Sequence, residues 1–301
     1  MNLNSIWSVL EESSEILFDG YAYPAADKSA EELSLPPGYY NWVMAIWLFD
    51  TNPFTVAQFM QYFPYGLAQA NEDRLASAVQ GGYLASDGEG TYRATESGSV
   101  AAARLTQAGN GVMAALTPMP KESLRALGNL LARISDAALH SPEPPAHVLI
   151  KAKRELYQRM NVFSLLEGFV AHCALLEGRR DDCYIATWKA HGVEGHTWEM
   201  LDFLSHGEAV TFDDLHEKLS RRGVTREVHA GDVKELIRRG WAEEGSGVVK
   251  ITPKGKQVRA EVEAETEHLF FAPWASLNES ELEELSNLAG QLRDGLKAQP
   301  H

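Results

Sequence analysis

Gly240-Trp241-Ala242-Glu243-Glu244-Gly245-Ser246-Gly247-Val248-Val249-Lys250-Ile251-Thr252-Pro253-Lys254-Gly255 is the stretch that decides the fold. Two short β-prone runs, Trp241-Ala242 and Val248-Val249-Lys250-Ile251, flank Glu243 to Gly247, where glycine occurs twice. That pattern predicts a β-hairpin. Thr252-Pro253-Lys254-Gly255 then starts a long helix to about Phe271. Upstream, Thr211 caps a helix over Phe212 to Leu219, with an acid at its third position. Gly223 makes a turn, and Thr225 caps the next helix, through Val228, Val233, Leu236 and Ile237, which ends at Gly240. Helix, turn, helix, hairpin, helix is a winged helix-turn-helix. Further helices flank it. Val162 to Leu176 and Asp181 to Lys189 read as two, with Ile185 and Trp188 on one side of the second. A short buried helix carries Trp198, Leu201, Phe203 and Leu204. After Pro273, Ser276 or Asn278 caps a last helix with Leu282, Leu285, Leu288 and Leu292 on one face.

The same pattern occurs earlier in the chain. At an offset of 156 residues Trp7-Ser8-Val9-Leu10-Glu11 falls on Phe163-Ser164-Leu165-Leu166-Glu167, Trp42 on Trp198, Met44 on Met200, Leu48 on Leu204 and Thr55 on Thr211. With a drift of one or two residues, Gly82-Tyr83 meets Gly240-Trp241, and Thr95 and Gly98 meet Thr252 and Gly255. Leu124, Leu127, Asn129 and Leu130 meet Leu282, Leu285, Asn287 and Leu288; Glu122 against Ser280 is a mismatch. A register kept over so many large residues reads as a tandem duplication. Residues 1–140 form the first winged-helix repeat, 141–156 a linker and the start of a connecting helix, and 157–301 the second repeat. The proline-rich His140-Ser141-Pro142-Glu143-Pro144-Pro145-Ala146 marks the join, because proline cannot continue a helix. The expected fold is mainly α with small β-wings: two tandem winged helix-turn-helix units packed as a pseudo-dimer through their N- and C-terminal helices.

This order of parts resembles the MarR family of transcription regulators. Gly240-Trp241, the hairpin and Ile251-Thr252-Pro253-Lys254-Gly255 match that family's wing and the start of the helix after it, and Leu277 to Leu292 resembles its closing dimerisation helix. The resemblance implies double-stranded DNA as a partner and a crevice for small aromatic or phenolic effectors. One departure stands out: the family's wing carries an Asp-x-Arg, whereas this wing tip reads Glu243-Glu244-Gly245-Ser246-Gly247.

The formal net charge of −15 opposes nucleic acid binding at long range, so a DNA surface must be local. Residues 218–260 hold eleven basic side chains against five acids, while residues 62–104 hold three against five. DNA contact is therefore expected mainly through the second repeat. Arg221, Arg222, Lys250 and Lys254 would meet phosphates; Thr225, Arg226 and His229 would sit at base edges. These basic residues also suit an ordinary solvated surface, and Arg238-Arg239 suits a helix C-terminus.

Between Pro36 and Tyr65 lie ten aromatic residues. Tyr39, Trp42, Trp47, Phe59 and Tyr62, with Trp188 and Trp198 of the second repeat, are the candidates to line a pocket for a small aromatic or hydrophobic ligand. For any one of them a place in the core is the weightier reading, since Trp42, Ile46 and Phe49 lie at helical spacing.

Other chemistry finds little footing. His172, Cys173, Asp181, Asp182, Cys183, His191 and His196 cluster without zinc-type spacing. No phosphate loop, nucleophile elbow or paired-carboxylate signature is present, so neither an enzyme nor a cofactor is expected. Two cysteines, no apolar run of membrane-spanning length and an acidic N-terminus fit a cytoplasmic protein outside the membrane. Three functions follow as expectations: a ligand-responsive DNA-binding regulator acting as a monomeric pseudo-dimer, a small-molecule-binding protein on the same scaffold that has lost DNA binding, or a protein-interaction module.

Overall fold

The computed structural model describes residues 2–36, 38–144, 146–160, 164–207 and 211–299. Val162 and Phe163, read above as part of a helix and of the repeat, and Pro145 of the join lie outside the described residues.

The chain is mainly helical. α1 (Leu3–Leu17) runs through a π-helical turn (Phe18–Ala22) into α2 (Tyr23–Glu32). A first head follows: α3 (Tyr40–Phe49), β1 (Phe54–Thr55), α4 (Val56–Phe59), α5 (Ala68–Gln80), β2 (Leu84–Ser86), β3 (Thr91–Ala94) and α6 (Glu96–Ala115). α7 (Lys121–His140), α8 (Leu149–Arg159) and α9 (Leu165–Lys189) cross to the second half. The second head contains α10 (Gly195–Ser205), α11 (Phe212–Leu219), a 3₁₀ turn (Ser220–Arg222), α12 (Arg226–Arg239), β4 (Ala242–Gly245), β5 (Val248–Ile251) and α13 (Pro253–Phe271). A second 3₁₀ turn (Ala272–Ser276) leads to α14 (Glu279–Lys297).

Both heads place the same parts in the same order. In the first, β1, β3 and β2 form an antiparallel sheet with Thr55 opposite Thr91. In the second, β4 and β5 pair alone, and the place of β1 is held by one bridge, Thr211 to Val248. Thr211 and Thr225 cap α11 and α12, accepting from the N–H groups of Asp214 and Val228, and Asn278 caps α14 in a capping box with Glu281.

The deciding motif has a physical cause common to both heads. Thr252 N–H donates to the carbonyl of Trp241, the Thr252 hydroxyl to that of Gly240, and Gly255 N–H to the Thr252 hydroxyl. Thr95 makes the matching bonds to Tyr83, Gly82 and Gly98. A Cβ at Gly255 would stand 2.1 Å from the Trp241 carbonyl oxygen, and one at Gly98 2.1 Å from that of Tyr83. Only glycine lets the helix after the wing lie this close to the strand before it.

Three cores result. Trp42, Val43, Ile46, Phe54, Leu75 and Leu84 fill the first head; Trp188, Trp198, Leu201, Leu236, Trp241 and Val249 fill the second. The third core joins helices from both halves, with Leu10 and Leu17 of α1, Leu127 and Ile134 of α7, Phe169 and Leu176 of α9, and Leu285 and Leu292 of α14.

One expected boundary is corrected. The polar run from Glu177 to Asp182 reads as a break between two helices, yet α9 continues through it. Its polar residues are consumed by tertiary contacts. A Cβ at Gly178 would meet the Leu149–Ile150 backbone at 3.0 Å, so the glycine admits α8. The Asp182 carboxylate then accepts from the N–H groups of Val148, Leu149 and Ile150, at 3.1, 2.9 and 3.1 Å. It thereby satisfies the open N-terminus of α8. Burial outweighs those bonds and lifts its pKa to about 6. Buried Arg179 donates to the hydroxyl of Ser141 and the carbonyl of Leu269. Among the described residues, no helix is long and apolar enough to cross a membrane.

Candidate nucleic-acid interface and crevice

In the second head α11 and α12 are joined by the 3₁₀ turn and Gly223, which takes the left-handed conformation at φ 72°. The first turn of α12 presents Thr225, Arg226 and Glu227 to solvent, and Lys250 stands exposed on the wing. Arg221 is exposed, while Arg222 is half-buried, bonded to Glu199 at 2.8 Å and stacked 5.6 Å from the Tyr65 ring. Arg226 donates to Asp213 and lies 4.7 Å over the Phe212 ring. Lys254 is exposed but its ammonium donates to the Arg239 carbonyl at 2.9 Å.

The structure thus reduces the positive field that the sequence suggested. Arg222, Arg226, Arg238, Arg239 and Arg259 all hold ion pairs. Their partners Glu199, Asp202 and Asp213 come from α10 and α11, outside the basic window counted along the chain.

His229 is not at a base-reading position. It is buried, with its Nδ1 2.8 Å from the Nδ1 of His216, one of the two nitrogens carrying the hydrogen. Next to it Asp232 accepts from His196 Nδ1 at 2.9 Å and from the Thr197 hydroxyl at 2.5 Å. This buried network ties α10 to α12. The hydrogen bond to Asp232 holds the His196 pKa above its ordinary value, with Glu194 and Glu199 adding to the effect and burial opposing it. Burial does the reverse to His229, lowering its pKa. A histidine with a raised folded pKa stabilises fully below about pH 6.5 and loses that contribution as the pH rises through the raised value. His196→Gln is therefore expected to destabilise the second head more at pH 6 than at pH 9 (on the order of the ordinary histidine range and well above it). Urea midpoints at the two pH values measure this; equal losses at both would refute the pairing.

The two heads touch. Arg74 of α5 donates to the Arg221 carbonyl at 2.7 Å. A Cβ at Gly223 would lie 2.4 Å from the Ala70 Cβ, and one at Gly195 would lie 2.1 Å from the Pro64 carbonyl oxygen. The start of α5 therefore rests on the turn before α12. Two heads reading successive major-groove turns stand about 34 Å apart.

The aromatic candidates divide. Trp42 is enclosed and stacks on Tyr83, with ring centroids 4.3 Å apart. Trp188 and Trp198 are enclosed and stack on each other at 6.4 Å. These three belong to head cores, as does most of Phe59, which also borders a cavity of about 490 Å³ between the heads. Tyr39 donates to Asp27 at 2.6 Å and lines a cavity of about 460 Å³. Trp47 borders that cavity and two others: one of about 820 Å³ between α3, α6 and α8, and one of about 440 Å³ where α3 meets α8 and α9. Tyr62 lines the last. Asp50, with φ 53°, sits on the wall of the largest. A non-glycine residue in that conformation is held there by its surroundings.

Tyr23, Tyr40 and Tyr157 also line the 440 Å³ cavity and were not candidates from sequence. Tyr157 sits in the basic stretch that reads as a mere connecting helix, and only the packing of α8 on α9 brings it inward. Exposure of the large rings of Tyr23 and Tyr40 is the structural sign of the same site.

Neither a search of curated proteins nor one of solved structures gave a match. A family model described as a helix-turn-helix family matches residues 77–300, from within α5 to just beyond α14. With most of its length matched and α11 and α12 built as described, this chain belongs to that helix-turn-helix family.

Proposed function

We propose that this protein is a ligand-responsive DNA-binding regulator of MarR-like build, arising from a tandem duplication and acting as a single-chain pseudo-dimer. The observation that carries DNA binding is the first turn of α12: Thr225 and Arg226 lie exposed beside a wing bearing Lys250, in a chain of helix-turn-helix family. The recurrence of the Gly-aromatic to Thr-x-x-Gly packing in both heads, and the joint core of α1, α7, α9 and α14, support the duplicated arrangement. Cavities where the halves meet support a ligand site. A ligand that prefers one spacing of the heads would change DNA affinity by that preference alone.

The test is DNA binding by fluorescence anisotropy, on fragments flanking the coding sequence, at salt concentrations of about 50 and 200 mM. Sequence-selective binding that weakens steeply with salt is expected. Arg221→Ala and Lys250→Ala should each lower the salt slope by about one. Absence of selective binding at the lower salt refutes the regulator.

One set of observations favours a second reading, a small-molecule-binding protein that has lost DNA binding: the heads are in contact and five arginines of the basic window are already paired. Ligand binding in the crevice without any DNA binding would establish it.

A further inference from the structure

The crevice of about 440 Å³ is walled on one side by the π-helical turn, α3 and the loop after α4, and on the other by α8 and α9. Its rings form a connected wall. Tyr23 meets Tyr40 edge to face at 6.3 Å, Tyr40 meets Trp47 at 5.9 Å, and Tyr62 and Tyr157 face the same space. Four carboxylates line it: Glu15, Asp19, Glu177 and Asp181. The cation among the lining residues is Lys153, which is bonded to Glu177 at 3.2 Å. Ser14 also lines the cavity; only 2% exposed, its hydroxyl has no hydrogen-bond partner among the described residues.

This combination selects the sign of a guest. Lys153 and Glu177 offset one another, so an anion would meet the three further carboxylates Glu15, Asp19 and Asp181. A neutral guest would displace water from those carboxylates and return at most the weaker hydrogen bonds of uncharged donors. A cation gains from both: the faces of tyrosine and tryptophan attract it, and a carboxylate pairs with it. Asp181 is reached by solvent through the crevice, yet the protein atoms around it raise its carboxyl pKa, with Glu177 adding to the rise and Lys153 and Arg180 opposing it. A bound positive charge would relieve that cost.

We propose that this cavity binds an organic cation carrying an aromatic ring, with the charge at Asp181 and Glu177 and the ring among Tyr40, Trp47 and Tyr62. The volume suits a guest of ordinary small-molecule size. The proposal rests on the ligand-site part of the function above and not on DNA binding.

The probes are (2-naphthylmethyl)trimethylammonium and its anionic counterpart 2-naphthylacetate, compared by equilibrium dialysis against the full chain. The cation is expected to bind one site at least about tenfold more tightly than the anion. Asp181→Asn should weaken the cation about tenfold and leave the anion no weaker. Glu177→Gln is a second variant, with far-UV circular dichroism to verify the fold of each. The wing pair Glu243→Gln/Glu244→Gln controls for attraction to an acidic surface and should leave binding unchanged. The proposal fails if the anion binds as tightly as the cation, if neither carboxylate variant alters cation binding, or if the wing pair weakens it equally. Cation binding without any DNA binding overturns the regulator and upholds the cavity. Salt-dependent DNA binding without cation binding does the opposite.

Discussion

Gly255→Ala is expected to cost the second head about 3 kcal/mol, the upper range for forcing extra volume into a packed site. The added methyl would stand 2.1 Å from the Trp241 carbonyl oxygen and 2.8 Å from Ile251 Cγ1. Neither neighbour can yield cheaply. The Trp241 carbonyl accepts from Thr252 N–H, which fixes the start of α13, and Ile251 belongs to the wing. Moving α13 away would break the Thr252 cap and open the core around Val249 and Val262. Gly98→Ala should do the same to the first head, where the Tyr83 carbonyl stands 2.1 Å away. Gly231→Ala is the control: it lies in α12 with open space around it and should stabilise slightly, by up to about 1 kcal/mol. Urea unfolding followed by tryptophan fluorescence reads both heads together, the second through Trp188, Trp198 and Trp241 and the first through Trp42 and Trp47. A midpoint for Gly255→Ala within error of the unchanged protein would show that the close approach is not what holds the wing to α13.

That pair of glycines also shows how far the sequence could be read. Local rules were enough for α11, the turn at Gly223, α12, the hairpin and α13, because caps, glycines and β-prone runs act within a few residues of one another. The likeness of the two Thr-x-x-Gly segments was legible because the same local bonds recur, Thr95 with Gly98 and Thr252 with Gly255. What escaped was set by distant neighbours. Glu177 to Asp182 reads as a break until α8 lies across it and Asp182 caps that helix. His229 reads as an exposed helix-start residue until His216 of α11 meets it and the side chain is buried. The basic window read as a field until α10 and α11 supplied Glu199, Asp202 and Asp213. Trp42 and Trp47, five positions apart, read alike; one fills a core and the other borders three cavities. Helical spacing separates faces, and it does not say which face a second unit leaves uncovered.

Gly195→Ala is expected to separate the heads and, on the regulator reading, to raise DNA affinity by about tenfold or more. The neighbours its Cβ would strike are the Pro64 carbonyl at 2.1 and 2.8 Å and Tyr65 Cα at 3.3 Å, all in the loop before α5. The clash is between the halves, so moving the first head relieves it, at the cost of the contacts that Tyr65 makes with Trp188 and Arg222. Arg74→Ala acts in the same direction more weakly, removing the bond to the Arg221 carbonyl at an exposed site, a loss of about 1 kcal/mol or about fivefold. The affinity gain follows from population. If two-headed binding needs heads about 34 Å apart, the contact seen between α5 and the turn before α12 holds the chain in a form that binds DNA poorly, and apparent affinity scales with the open fraction. Spin labels on cysteines introduced by Glu89→Cys and Glu244→Cys, one on each β-hairpin, measure the separation by double electron–electron resonance; Cys173 and Cys183 are buried and leave the labelling selective. Longer label distances together with tighter DNA binding would tie the two events. Longer distances with unchanged DNA binding would refute two-headed recognition and leave α12 alone, or the crevice ligand alone, as the working part. Unchanged distances would show that the loop at Pro64 yields locally, and that the contact between the heads is not what sets their spacing.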